Sequence, residues 1–114
     1  MGITRGHWIA VLAACCIASS SSVAQDLAAG HAVAEKFCAA CHAIKPGQKS
    51  KHRLALTFPA IANRYSVWGL QEALAEGILV GHGDMPKFIF APEEINNLLT
   101  YMDTFTDKKK QKTQ

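Results

Sequence analysis

Cys38-Ala39-Ala40-Cys41-His42 is the segment that most limits what this chain can become. It places two thiols three positions apart, with an imidazole directly after the second. On one helical turn the two sulfurs point the same way, so each can add to one vinyl group of a haem. The histidine that follows is then held where its ring can ligate the iron. This C-x-x-C-H pattern predicts one covalently attached haem c, bound through Cys38 and Cys41, with His42 as proximal ligand. Two other chemistries use paired cysteines. A dithiol redox pair belongs with a βαβ pattern, and no strand pattern precedes Cys38. Zinc asks for four ligands, and a second cysteine pair is absent after residue 41, although His52 or His82 could contribute to a set.

The chain around the motif is short. With 114 residues, 49% hydrophobic and 18% charged, it holds one small domain and is too apolar to be disordered. No apolar run reaches the ~20 residues that a membrane-spanning helix requires. A multidomain enzyme and a polytopic membrane protein are thereby excluded. Residues 1–24 read as a cleaved secretory signal peptide: Arg5 comes early, an apolar stretch runs from Trp8 to Ala18, and Ser22-Val23-Ala24 supplies the small residues of a cleavage site. Cleavage after Ala24 puts a mature chain beginning at Gln25 in the periplasm. Leu12-Ala13-Ala14-Cys15 also matches a bacterial lipoprotein pattern, in which Cys15 would be lipidated. Only Trp8 to Ala14 precede that cysteine, and the apolar run continues past it, which favours the cleaved signal.

Without the signal, Cys38 and Cys41 are the remaining cysteines, so several disulfides cannot staple the exported domain. A bound cofactor is the expected staple for so small a core. Residues 25–106 hold seven basic and eight acidic side chains, a balance that argues against a nucleic-acid module. Lys108, Lys109, Lys110 and Lys112 gather near the end, and residues 107–114 read as a solvated, disordered basic tail.

The periodicity is helical throughout. Residues 26–40 are rich in alanine, with Asp26 as a cap and Leu27, Gly30, Ala34 and Phe37 recurring at three and four positions. Lys45 to Arg53 is polar and aperiodic, a loop with a turn at Pro46-Gly47. Phe58 to Ala62 suits a short helical turn with Pro59 at its first position. A further helix is expected from Ser66 as N-cap, with Val67, Leu70, Leu74 and Ile78 on one face. Gly77, Gly81 and Gly83 then open a loop containing His82-Gly83-Asp84-Met85-Pro86. The last helix starts with Pro92 at N1 and Glu93 and Glu94 at the positive end of its dipole, followed by Ile95, Leu98, Leu99, Met102 and Phe105. The fold class is all-α.

An iron with one protein ligand is open to small molecules, whereas one with two is suited to electron transfer. The sixth ligand therefore decides the function, and Met85 is the best candidate: a polarizable thioether in a glycine-flanked loop, followed by Pro86, Phe88 and Phe90. Met102 lies on the apolar stripe of the last helix and reads as core. His82, three residues before Met85, is the rival ligand. His31 and His52 read as surface or packing histidines.

The order of an N-terminal helix, C-x-x-C-H, a middle helix, a Met-Pro loop 43 residues after His42 and a closing apolar helix resembles the class I c-type cytochromes of the small bacterial periplasmic kind. The resemblance spans residues 26–106. It implies a small cytochrome c fold wrapped around one haem, with His42 and Met85 as axial ligands. It implies that Gly30 lets the first and last helices cross closely, opposite Tyr101 or Leu98. Pro46 resembles the proline whose region supplies a backbone carbonyl to the proximal histidine, although the order here is Pro46-Gly47 rather than Gly-Pro. Arg64, Tyr65 and Trp68 resemble residues that line the haem and approach its propionates. Lys36, Lys45, Lys49, Lys51 and Lys87 fall in segments expected around the exposed haem edge, where they would steer an acidic partner.

Three function classes fit. One is a soluble, non-enzymatic one-electron carrier between a periplasmic dehydrogenase or quinol-oxidising complex and an oxidase or reductase. Another is a dedicated cytochrome subunit of a larger oxidoreductase. The third is a gas sensor or weak peroxidase, should Met85 be labile. Carbon monoxide binding by the reduced protein separates the third from the others, and none is expected.

Overall fold

The computed structural model describes Gly2, residues 22–77 and residues 83–111. Among these, the chain forms α1 (Ser22–Phe37), α2 (Phe58–Arg64), a 3-10 turn (Trp68–Leu70), α3 (Gln71–Glu76), α4 (Pro92–Asp103) and α5 (Lys108–Gln111), with no strand. Among the described residues the fold is all-α. Cys15, most of the expected signal peptide, Ile78 and His82 lie outside the described residues. No described helix is long and apolar enough to cross a membrane.

The frame is the crossing of α1 and α4. Gly30 is buried at the crossing, where a Cβ would collide with the Asn97 carbonyl oxygen and come within 2.7 Å of the Tyr101 Cβ, so only a bare Cα lets the two backbones approach. Beside it, His31 meets the Tyr101 ring edge to face at 5.2 Å, and the Tyr101 hydroxyl donates to the Ile44 carbonyl at 2.9 Å. That bond ties the segment just past the motif to the closing helix. Ile95, Leu98, Leu99 and Met102 of α4 are buried with Ala34, Ile44, Phe58, Ala62, Val67 and Phe90, as the 3.6-residue period of α4 requires. Met102 is therefore core.

Local chemistry starts and stops the remaining helices. Thr57 caps α2, its hydroxyl accepting from the Ala60 N–H at 3.2 Å, so Pro59 takes the second helical position rather than the first. At the start of α4 the Ala91 N–H donates to the Glu94 carboxylate at 3.0 Å. Asn63 on α2 bridges outward: its amide donates to the Phe105 carbonyl and accepts from the Asp107 N–H, locking α2 to the chain leaving α4.

Three features differ from expectation. The first helix runs over 22–37 instead of 26–40, and the motif occupies the turn beyond its end. Ser66 makes no side-chain cap. The expected helix is split into a 3-10 turn and α3, which Gly77 ends at φ 68°, with Lys87 and Phe88 packed where its Cβ would be. In the basic tail, Lys108–Gln111 form one helical turn, the Asp107 carboxylate accepting from the Lys109 N–H at 3.1 Å. This aspartate satisfies a backbone donor that the tail would otherwise leave to water.

Candidate functional site

The motif turn extends α1. Cys38 N–H donates to the Ala34 carbonyl at 2.9 Å, Cys41 N–H to Cys38 at 3.1 Å and His42 N–H to Cys38 at 2.9 Å, so the three reactive side chains are carried on a hydrogen-bonded turn. Cys38, Cys41 and His42 line one cavity of about 300 Å³, a size within the usual range of small-molecule pockets. Three further segments complete it: Phe37 with Phe88, the 52–55 loop through His52, Leu54 and Ala55, and the 83–86 loop, in which half-buried Met85 faces the same space as His42. Phe37, Phe88 and Phe90 pack on one another at centroid distances of 5.2 to 5.7 Å and form an apolar flank.

The loop after the motif orients His42. Phe58 N–H donates to the Ala43 carbonyl at 2.9 Å and His52 N–H to the Cys41 carbonyl at 3.2 Å, folding residues 43–57 back on the motif. The Leu56 carbonyl thereby reaches His42 Nδ1 at 2.6 Å. A carbonyl can only accept, so Nδ1 carries the proton and Nε2 presents its lone pair. Nε2 makes no hydrogen bond among the described residues. The carbonyl thus comes from Leu56, fourteen residues after His42, and not from the region of Pro46, which is exposed at a turn. The return of the loop, rather than the proline, determines which carbonyl arrives.

Arg64, Tyr65 and Trp68 do not line this cavity. Arg64 is exposed, and Tyr65 and Trp68 keep 53% and 44% of their surface in solvent. Conversely, His52, Leu54, Asp84 and Leu56 belong to the site although nothing local in the sequence marks them. His52 in particular faces the cavity that holds the motif. The lysines divide: Lys45, Lys49 and Lys51 border a second depression of about 240 Å³ that adjoins His42, Lys36 lies over the Phe37 ring at 4.8 Å, and Lys87 packs beside Gly77.

These residues fit a haem. The two thiols are free rather than bridged to each other, and the neighbouring imidazole offers an unused ligating nitrogen. Burial pushes the Cys38 thiol up to about 11, so it is uncharged near neutrality, and a thioether at that place has no charged form to desolvate. Among the described residues no group of three or more His, Cys, Asp or Glu side chains could hold a metal by itself.

The family model described as cytochrome C oxidase, cbb3-type, subunit III matches residues 25–102. The chain belongs to that family of c-type cytochromes. Among curated proteins, cytochrome c-552 of Bradyrhizobium diazoefficiens is 30% identical over 94 residues, covering 82% of this chain and 88% of that protein. No solved structure matches it. This c-type cytochrome is an electron-transfer protein with a covalently attached haem c, and Cys38 and Cys41 stand at the spacing that attachment needs.

Proposed function

We propose that this cytochrome is a periplasmic one-electron carrier in which His42 and Met85 are the two axial ligands. One observation carries the reading: Met85 lines the same cavity as Cys38, Cys41 and His42. The bound haem supplies a single-electron iron couple. Around it, the Leu56 carbonyl holds the His42 tautomer and plane and raises the ring's basicity. A soft thioether and the apolar Phe37, Phe88 and Leu54 disfavour extra positive charge in the site, which raises the potential. With His42 and Met85 both holding the haem iron, a substrate would find no open position there, which favours transfer over catalysis.

Export is supported by the signal pattern of residues 1–24. Lys45, Lys49 and Lys51 beside His42 suit an acidic docking partner, either a dehydrogenase or quinol-oxidising complex as donor or an oxidase or reductase as acceptor. The family description, which names an oxidase subunit, favours a second reading as a dedicated subunit of a larger complex. Stable co-purification with a membrane oxidase would select that second reading.

Expression with a haem-maturation system, followed by visible spectroscopy of the native and Met85→Ala proteins, tests the ligand assignment. The expected outcome is loss of the weak red sulfur-to-iron band with the covalent haem retained, and carbon monoxide binding gained by the reduced variant. A native spectrum that lacks this band, and that Met85→Ala leaves unchanged, would transfer the role to His82.

A further inference from the structure

Residues 83–90 carry the Met85 thioether, yet their polar attachment to the other described residues is slight. Among the described residues, the contact between His52 Nε2 and Asp84 Oδ2, at 3.3 Å, is the only hydrogen bond or ion pair that residues 83–90 make. Among the described residues, a Cβ built on Gly83 would meet nothing within 4 Å. Among the described residues, the segment is otherwise held by apolar packing: buried Phe90 and Phe88 against Phe37, and Lys87 and Phe88 against Gly77.

His52 is built to make that link. Its main-chain N–H donates to the Cys41 carbonyl at 3.2 Å, which anchors the residue on the motif turn itself. Its Nδ1 accepts from the Leu54 N–H at 3.3 Å, and an accepting Nδ1 places the proton on Nε2. That tautomer leaves Nε2–H facing the Asp84 carboxylate, with Nε2 3.3 Å from Oδ2. Asp84 is the residue immediately before Met85, and both line the cavity with His52.

We infer that His52 is a positioning residue for the axial sulfur: a clasp that runs from the thioether-bearing turn, through its imidazole, to the backbone that delivers Met85. The inference rests on the reading of Met85 as ligand. It assigns to His52 a task that a packing or surface histidine lacks. Because Asp84 is exposed, the link is of the weak surface class, and such a contact biases a loop by a factor of about five rather than by orders of magnitude.

The experiment compares holoproteins carrying His52→Ala, Asp84→Ala, both changes, and His52→Gln. Readouts are the intensity of the red sulfur-to-iron band, the reduction potential and the rate of carbon monoxide binding to the reduced protein. His52→Ala and Asp84→Ala should each weaken the band, lower the potential and speed carbon monoxide binding about fivefold. The double variant should match either single one, because both remove the same contact. His52→Gln, whose amide can donate to Asp84 and accept from Leu54, should restore most of the native behaviour. Native rates and band in His52→Ala, or additive effects in the double variant, overturn the clasp. So does an equal gain of carbon monoxide binding in Tyr101→Phe, which loses stability at a distance from this loop. If instead Met85→Ala keeps the band, the ligand reading itself has failed, and that outcome is distinct from a failed clasp.

Discussion

At His42 a single carbonyl decides what the ring can do, and it belongs to a residue no motif would single out. Leu56 fixes the tautomer because backbone oxygen accepts and never donates, leaving on Nε2 the lone pair that a ligand to iron needs. At Gly30 the decisive quantity is absent volume. Gly30→Ala should cost about 3 kcal/mol in denaturant unfolding of the holoprotein, since its Cβ meets the Asn97 backbone, which cannot swing aside as a side chain end could. Tyr101 combines a bond with a titration. Its hydroxyl is held above the ordinary tyrosine range by burial and then by the nearby Glu35 carboxylate, so the fold favours the neutral phenol. This contribution is fully present below the unfolded value of about 10 and is lost as pH rises through the folded value. Tyr101→Phe should lower stability near neutrality by about 1 kcal/mol through loss of the bond to Ile44, and should flatten the decline of the denaturation midpoint above about pH 10. An alkaline decline as steep as the native one would show that another group controls it.

Among the elements, α4 was the most legible and the helix after Ser66 the least. Pro92, two glutamates and an apolar residue at every third or fourth position leave α4 one way to fold and one face to bury. Ser66 looked like an equally good start, but a hydroxyl caps only if the next backbone N–H groups turn toward it. Here Val67 to Leu70 are drawn into a 3-10 turn that buries Val67 instead. The link between α2 and the end of α4 was not legible at all. Asn63 reaches Phe105 and Asp107 across more than forty residues, and its neighbours in the chain give no sign of this. Asn63→Ala should destabilise the holoprotein by about 2 kcal/mol and speed amide exchange at Asp107, measured by hydrogen exchange, because it frees both ends of the bridge.

For the molecule as a whole, charge placement is the property a partner meets first. Lys45, Lys49 and Lys51 share one depression beside His42, while Glu35 at its edge lies 4.0 Å from Lys45 and partly offsets them. Electron transfer with an acidic redox partner should slow several-fold as ionic strength rises from about 0.01 to 0.15 M, and Lys49→Glu should weaken that dependence in stopped-flow measurements. A rate independent of salt would remove these lysines from the docking face. By itself, the order of residues determined the all-α class, the haem attachment at Cys38 and Cys41 and the role of Met102 as core. Each of these follows from neighbours within one or two helical turns, where spacing alone dictates geometry. Tertiary structure decided which carbonyl orients His42, that His52 and Asp84 meet beside Met85, and that Arg64, Tyr65 and Trp68 stand away from the cavity. These depend on how the 43–57 loop returns and how closely α1 and α4 cross, and such long-range closure leaves no periodic trace in the chain.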